Sequence, residues 1–291
     1  MVRRRCRLFV AVSLSVCAAA HAQDPTARTL DKVVVTASRT GQLAETAPQT
    51  VVIIDREQID QQLRLSSNSS DVLSNLLPAY TPSRGKLTGS GETLRGRTPL
   101  ILVDGIPQSN PLRPTGREAH TIDYAMVERI EVIQGASAMN GLGATGGTIN
   151  LITRRPEPGQ VQQHLALQTT AATHRVDDET IGVRADYRIS GMQGQWSYLL
   201  GAGYEDQGLW LDGNGTAIGT DVTQGDLMAS KAFDVHAKLG YWIDANQELQ
   251  FSLNRYRIRA DGDYLTVLGD RASLRPSRAS TTTAADPASR S

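Results

Sequence analysis

The chain has 291 residues, with 30 basic and 30 acidic side chains, and therefore no net charge. This balance gives no support for nucleic-acid binding, which usually needs a basic excess. After residue 22 no stretch approaches the roughly 20 consecutive apolar residues of a transmembrane helix. A membrane location would therefore require a closed β-barrel, because only helices and barrels satisfy every backbone group in lipid.

Residues 1–22 have the pattern of a secretory signal peptide. Four arginines lie among the first seven residues, an apolar run follows at 8–19, and Ala20-His21-Ala22 has the A-x-A form of a cleavage site. Both cysteines, Cys6 and Cys17, lie inside this segment. Cleavage near Ala22 would leave a mature chain without cysteine, which excludes disulfides, thiolate catalysis and cysteine-based metal sites.

The next segment, 23–44, is predicted to be an N-terminal extension, and a small α/β domain follows it. The run LDKVVVTA at 30–37 favours extended backbone, and on its own it predicts an ordinary edge strand. Residues 50–54 predict a strand and residues 55–65 a short helix. A second helix is predicted to be capped by Asp71 and to end before Pro78.

Three β-rich runs at 99–104, 127–133 and 148–153 predict the main strands of this domain, with glycine-rich turns between them. The glycines at 141, 143 and 146 satisfy the G-x-G-x-x-G pattern of dinucleotide-binding proteins. That fingerprint requires a following helix and an acidic residue about 20 positions further on. The sequence continues instead with the strand-like run TINLIT, so the pattern predicts closely crossing strands and not a nucleotide site.

Beyond Pro156 apolar and polar residues alternate, and about five strands are predicted within 157–270. Alternation with short and long turns in succession is typical of outer-membrane β-barrels, whose apolar side chains face lipid. A soluble antiparallel sheet is the alternative. The serine-, threonine- and arginine-rich tail at 271–291 shows no alternation. Because five strands cannot close a barrel around a domain, a frameshift near position 270 and a truncated product are a further hypothesis.

Four segments in this order resemble the plug domain of TonB-dependent outer-membrane receptors. They are ETLRG at 92–96, LVDGIPQSN at 102–110, VERIEVIQGASAMNG at 127–141 and GATGGTINLITRRP at 143–156. The predicted fold is therefore an α/β plug domain at 45–156 followed by antiparallel transmembrane β-barrel strands, with an incomplete barrel in this chain. The resemblance also implies that the protein is located in the outer membrane of a Gram-negative cell, where the barrel strands contact outer-membrane lipid.

The resemblance implies a TonB box at 30–37, a strip that pairs by strand addition with the energy-transducing protein TonB. Its residues are Leu30, Asp31, Lys32, Val33, Val34, Val35, Thr36 and Ala37. The run LLPAYTPSRGK at 76–86 suggests the ferric-siderophore branch, of the hydroxamate type. By resemblance, the plug loops point toward the outside medium, and the candidate ligand contacts there are Tyr80, Arg84, Arg113 and Arg117.

Arg95 matches the arginine that, by resemblance, pairs with acids of the barrel wall and locks the plug. The sequence departs from the family pattern at Gln134, where a basic residue is common, and at Asn140, often an aromatic. The four histidines outside the signal peptide, at 120, 164, 174 and 236, follow no metal-ligand spacing and are interpreted as surface or barrel residues.

The expected function is energised import of a ferric siderophore, without catalysis and without a resident cofactor, because the iron arrives chelated by the siderophore. Two alternatives stay open. The first keeps the architecture with another cargo: cobalamin, haem or a glycan. The second is a secreted, plug-containing binding protein that does not transport.

Overall fold

The computed structural model contains two five-stranded β-sheets, one forming the plug and the other a wall beside it. It describes residues 50–83, 87–108, 116–173, 176–215, 229–245 and 247–260 with their side chains. Four further short strands, at 34–35, 42–43, 264–267 and 270–276, are described by their backbone. Among these described residues no helix has both the length and the apolar character needed to cross a membrane.

Two short strands precede the plug: β1 (Val34–Val35) and β2 (Gln42–Leu43), which pair antiparallel. The predicted signal peptide, and the predicted TonB box apart from the backbone of β1, lie outside the described residues. β1 nevertheless has the extended backbone that was predicted for the box.

The plug sheet is mixed. Its strands are β3 (Val51–Ile54), β4 (Pro99–Val103), β5 (Ile106–Pro107), β6 (Val127–Gln134) and β7 (Gly147–Thr153), in the spatial order β3-β6-β7-β4-β5. β4 and β7 run parallel, and the other neighbours are antiparallel. β7 is buried at every position, as expected of a central strand covered on both faces. The predicted strands at 50–54, 99–104, 127–133 and 148–153 are thus confirmed.

Two helices and a 3-10 turn complete the plug. Helix α1 (Arg56–Leu63) begins at the N-cap Asp55, whose carboxylate accepts a hydrogen bond from the backbone N–H of Gln58 at 2.9 Å. Helix α2 (Ser69–Leu76) is capped by Asn68, which accepts from the backbone N–H of Ser70 at 2.8 Å. The prediction of Asp71 as the cap is wrong: Asp71 lies in the first turn of α2 and accepts a hydrogen bond from Ser66 instead.

The 3-10 turn Tyr124–Met126, capped by Asp123, leads directly into β6. The plug core lies between the helices and the sheet. Ile59 of α1 and Leu73 of α2 are fully buried in one apolar cluster with Ile130 of β6 and Ile149 of β7. Tyr124 and Met126 belong to the same cluster, so the turn is anchored in the plug through its side chains.

The wall sheet is antiparallel throughout, with neighbours in chain order. Its strands are β8 (Gln162–Thr170), β9 (Gly182–Gln193), β10 (Trp196–Gln207), β11 (Ser230–Trp242) and β12 (Glu248–Ala260). Leu167, Leu200 and Leu239 are exposed on one face. Asp186, Asp234 and His236 are buried on the other face, toward the plug. The predicted set of about five alternating strands is confirmed, and these strands form an open sheet.

A last hairpin consists of β13 (Tyr264–Val267) and β14 (Asp270–Pro276). Strand structure therefore extends beyond the predicted boundary at residue 270. The loss of alternation after Asp270 did not indicate a loss of strand, because ladder hydrogen bonds require extended backbone and not a buried face. The plug and wall sheets belong to one compact unit.

Candidate functional site

Tyr80, predicted to contact ligand, lies in the plug core. It is 6 % exposed, and its hydroxyl donates a hydrogen bond to Glu92 Oε2 at 2.8 Å. Burial, together with the neighbouring Glu92 carboxylate, raises the pKa of Tyr80, so the phenol stays protonated. A backbone bridge to Leu94 draws Tyr80 inward from the loop. The structure thus gives this residue a packing role and leaves it little surface for a ligand.

The other predicted ligand contacts are only partly described. Arg117 is exposed, and its carbonyl accepts a hydrogen bond from the backbone N–H of His120 at 2.9 Å. Arg84 and Arg113 lie outside the described residues. The ligand role of all three arginines stays a prediction.

Arg95, predicted to lock the plug, contacts another plug residue. Its backbone is left-handed, with φ 55°, and its guanidinium donates to Gln134 Oε1 at 3.2 Å. Gln134 is the position at which the family pattern favours a basic residue. A positively charged side chain at position 134 would repel the Arg95 guanidinium, whereas the amide oxygen of Gln134 accepts a hydrogen bond from it. Pairing between Arg95 and a wall acid stays a prediction.

His120, interpreted from sequence as a surface or barrel residue, is buried in the plug. It is 6 % exposed, and its Nε2 lies 3.4 Å from the hydroxyl of Ser70 on α2. Burial, with a smaller effect of nearby Arg117, lowers the pKa of His120 to about 4. The ring is therefore neutral at ordinary pH.

The first strong contact between plug and wall is centred on Arg184 of β9. Its Nη2 donates to both carboxylate oxygens of Asp123, at 2.8 and 2.9 Å. The same guanidinium lies 3.3 Å from Asp186 and 3.5 Å from Glu205 of β10. Glu205 in turn accepts a hydrogen bond from Ser67 of the plug. Because the Arg184 side chain is only 9 % exposed, water screens these interactions little.

The second strong contact joins Lys238 of β11 to Asp104, the residue that follows β4. The Lys238 ammonium lies 2.9 Å from Asp104 Oδ2. The same carboxylate accepts hydrogen bonds from Thr153, from its backbone N–H at 2.8 Å and its hydroxyl at 2.5 Å. Asp104 is left-handed, with φ 49°, so the β4–β5 turn aims its side chain at both partners.

Between these contacts, β10 presents two glycines to the 3-10 turn, here named the glycine seat (Gly201 and Gly203). A Cβ atom at Gly201 would lie 2.5 Å from Met126 Sδ, and one at Gly203 would lie 3.3 Å from Asp123 Oδ2. In the sheet, Gly203 is paired with Asp186 and Asp234, and Gly201 with Arg188 and His236. The two glycines thus leave room for the turn, because a side chain at Gly201 would displace the end of Met126 and one at Gly203 would press on Asp123.

Two crevices run between the plug and the wall strands β8 and β9. One, of about 280 Å³, is lined by Ser67 and Asp71 of the plug and by wall residues up to Trp210. The other, of about 370 Å³, is lined by Arg56, Asp60 and Arg64 of the plug region and by Arg188 of the wall. Both crevices are lined by Gln168 and Arg184. No group of three or more metal-ligating side chains occurs among the residues that the structure describes.

The Arg184 cluster and the glycine seat were not predicted from the sequence. Inward polar residues were read only as the general lining of a barrel. One signal was available: Gly201 and Gly203 fall at alternate inward positions of a predicted strand, where glycine weakens the strand and often marks a close approach of another backbone.

Ion pairs hold the mixed plug sheet against the antiparallel wall sheet, whose apolar side chains face outward and whose polar side chains face the plug. This is the architecture of a plug domain beside the wall of a receptor barrel. Residues 44–148 match the family model of the TonB-dependent receptor plug domain. This part of the chain is therefore a TonB-dependent receptor plug domain.

Among curated relatives, the rhizobactin receptor of Rhizobium meliloti is 30% identical over 243 residues, which cover 83% of this chain and 32% of the relative. The ferric aerobactin receptor of Klebsiella pneumoniae is 32% identical over 236 residues, 81% of this chain and 32% of the relative. A hemin receptor of Yersinia enterocolitica is 29% identical over 239 residues, 79% of this chain and 32% of the relative. The chain thus spans about a third of the length of these relatives.

Solved structures show the same fold. The ferric enterobactin receptor of Pseudomonas aeruginosa superposes with a TM-score of 0.54 at 20% identity, covering 73% of this chain and 33% of that one. The siderophore receptor PirA of Acinetobacter baumannii gives 0.54 at 19% identity, covering 78% and 34%.

Proposed function

We propose that this chain serves TonB-dependent uptake of a ferric siderophore across the outer membrane. The observation that carries the proposal is the match to siderophore receptors over 81% to 83% of the chain, which includes the wall strands as well as the plug. The relatives named for rhizobactin and aerobactin favour a siderophore over the other cargoes. The hydroxamate type predicted from residues 76–86 is part of this proposal.

The mechanism assigns binding and gating to the protein and no bond making. Ligand binds at the outward plug loops, where Arg84, Arg113 and Arg117 would contact an anionic ferric complex. The iron remains a chelated cargo, so no protein cofactor takes part. The segment 30–37 is then captured by TonB through strand addition, and the pull moves the plug. The extended backbone of β1 within this segment supports the strand-addition step.

The outer-membrane location rests on the wall sheet. Its exposed face carries leucines and aromatic side chains, including Leu200, Phe233 and Leu239, while its polar groups face the plug. This is the side-chain arrangement of a strand set in lipid. A signal peptide cleaved near Ala22 would deliver the chain to the export route.

Uptake of radioiron-labelled ferric aerobactin by cells that make this protein tests the proposal. We expect uptake in cells that contain TonB and binding without uptake in cells that lack it. The variant Val34→Pro should lose uptake and keep binding, because proline has no backbone N–H to donate to a partner strand. The control Val34→Thr, which retains strand propensity, should transport normally.

Haem is the second candidate cargo, because the hemin receptor match also extends over 79% of this chain. The same cells are therefore assayed with haemin as the sole iron source. Growth on haemin with no binding of ferric aerobactin would replace the siderophore proposal by haem uptake. Binding of a compound without its uptake in cells that contain TonB, by a protein found soluble in the periplasm, would favour the non-transporting alternative.

A further inference from the structure

The plug turn at 123–126 is held at the glycine seat by one cation that contacts several acids. Arg184 binds the turn through two hydrogen bonds to Asp123 and also contacts Asp186 and Glu205 of the wall. Asp123 Oδ2 lies 3.3 Å from the point that a Cβ of Gly203 would occupy, and the Cβ atoms of Asp234 and Asp186 lie 3.8 and 4.0 Å from the same point. Arg184 contacts the carboxylates of both Asp123 and Asp186, so its positive charge offsets the repulsion between these two acids.

Two more wall side chains lie buried beside the seat. Asp234 and His236 are each 1 % exposed. Their hydrogen-bond contacts are weak: Asp234 has one with the backbone of Asp123, and His236 has one with Asn254. Buried polar groups that are poorly satisfied carry a desolvation cost, which water entry reduces. Withdrawal of the turn would therefore break the contact between Asp123 and Asp234 and admit water to both side chains.

The position of Arg184 gives its release a consequence for transport. The two crevices along β8 and β9 meet at Arg184 and Gln168, which line both. Gln168 also reaches the plug, because its amide donates to the carbonyl of Arg64 at 3.2 Å. The contact of Arg184 with Asp123 and the contact of Gln168 with Arg64 therefore lie between the two crevices, at the place where the crevices would have to join.

We propose that Arg184 and the glycine seat form a releasable fastening between plug and wall, and that withdrawal of the turn at 123–126 joins the two crevices into a passage for the cargo. The passage rests on the proposed uptake function. The fastening itself does not, and it can be measured without any ligand. Arg184 acts as a positioning residue, because it holds the plug turn and need not touch the cargo.

Thiol labelling at the turn tests the fastening. Met126 is 1 % exposed, and both cysteines of the chain lie in the predicted signal peptide, so Met126→Cys introduces a single buried thiol. In outer-membrane vesicles lacking TonB, a water-soluble maleimide should label this thiol slowly. We expect Arg184→Gln to raise the labelling rate at least tenfold. Lys231→Gln, which removes a half-exposed wall charge near Asp206, should leave the rate unchanged.

The seat is tested by a matched pair on β10. Gly201→Val places a side chain where Met126 packs, so Met126 is kept and the reporter thiol is introduced in the same turn as Ala125→Cys, at a residue that is also buried; its labelling rate should rise at least tenfold. The neighbouring variant Ala202→Val adds the same side chain on the outward face and should have no effect. Slow labelling in both Arg184→Gln and Gly201→Val, in protein that is still folded and inserted, would overturn the fastening.

A reversible crosslink tests the passage. The double variant Met126→Cys and Gly201→Cys should form a disulfide on oxidation, because a Cβ at position 201 would lie 3.8 Å from Met126 Cγ, the place that the sulfur of a cysteine takes. Oxidised protein should bind ferric aerobactin as the parent does, lose uptake at least tenfold, and regain it on reduction. Undiminished uptake by the oxidised protein contradicts the passage. If the parent itself takes up no ferric aerobactin, the proposed function fails, while the labelling results still decide the fastening.

Discussion

Asp104 links the plug to the wall through one carboxylate. It accepts two hydrogen bonds from Thr153 within the plug and an ion pair from Lys238 of the wall. The Lys238 side chain is 4 % exposed, so its charge depends on this partner. A buried charge that loses its partner destabilises a fold strongly, whereas a surface pair contributes little.

The variant Asp104→Asn should therefore lower the free energy of unfolding by about 2–3 kcal/mol. Asparagine tolerates the left-handed backbone and can still accept from Thr153, so the loss is assigned to the unpaired ammonium of Lys238. Urea unfolding of the detergent-solubilised protein measures it. The control Asp206→Asn, which removes a half-exposed pair with Lys231, should cost less than about 0.5 kcal/mol. Equal losses in the two variants would contradict this assignment.

His120 predicts a pH dependence of plug stability. Its pKa is about 4 in the folded protein and 6.5 in the unfolded chain, so the unfolded chain binds the proton more readily. Stability is complete above about pH 6.5 and decreases as the pH falls toward 4, by up to about 3 kcal/mol. Urea unfolding of the plug, monitored by its susceptibility to proteolysis at several pH values between 4 and 6.5, should show this decrease in the free energy of unfolding. His120→Gln should flatten this part of the profile, and an unchanged profile would assign it to other groups.

At the scale of elements, helix α2 shows which residue of a polar run becomes the cap. Asn68 and Asp71 are both suitable capping residues, and the sequence at 66–71 does not separate them. The structure selects Asn68, which is buried and accepts from the backbone N–H groups of Ser70 and Asp71. The choice depends on where the plug sheet places the start of the helix, which is a tertiary effect.

Asn68→Ala should therefore destabilise the plug by about 1–2 kcal/mol, because two N–H groups at the start of α2 lose their acceptor. Asp71→Ala should cost less, about 0.5 kcal/mol, through its weaker interaction with the helix dipole and the loss of the Ser66 contact. Chemical unfolding of both variants decides between the two caps. A larger loss in Asp71→Ala would restore the cap predicted from sequence.

In the strands, too, the local sequence predicts the element and the tertiary structure decides its contacts. Alternation located the wall strands and their outward faces, because outward-facing side chains repeat every second residue within a single strand. It did not locate the Arg184 cluster. That cluster joins Asp123 to residues on β9 and β10, and only the pairing register and the plug position bring them together. Local pattern predicts elements well; contacts between sheets require the tertiary structure.

At the scale of the whole molecule, the exposed face of the wall is the surface on which the membrane assignment rests. Leu200 is 51 % exposed near the middle of β10. Leu200→Arg should disfavour membrane insertion by about 2–4 kcal/mol, because it places a charge in the hydrocarbon region. The measured quantity is the fraction of the protein recovered in the outer membrane. Leu200→Phe should insert normally, and normal insertion of the arginine variant would show that this face does not contact lipid.

The order of strands in the plug sheet has a consequence for biogenesis. Val51 of β3 pairs with Ile133 of β6, and β4 lies beside β7, so both pairings join segments that are far apart in sequence. The wall strands each pair with their next neighbour along the chain. β3 therefore has to wait for β6, and β4 for β7, so the plug sheet is complete only when residues up to 153 are available. Since distant pairings form slowly, we expect the plug to fold late, which would keep it threadable if the chain passes an export channel as the proposed function requires.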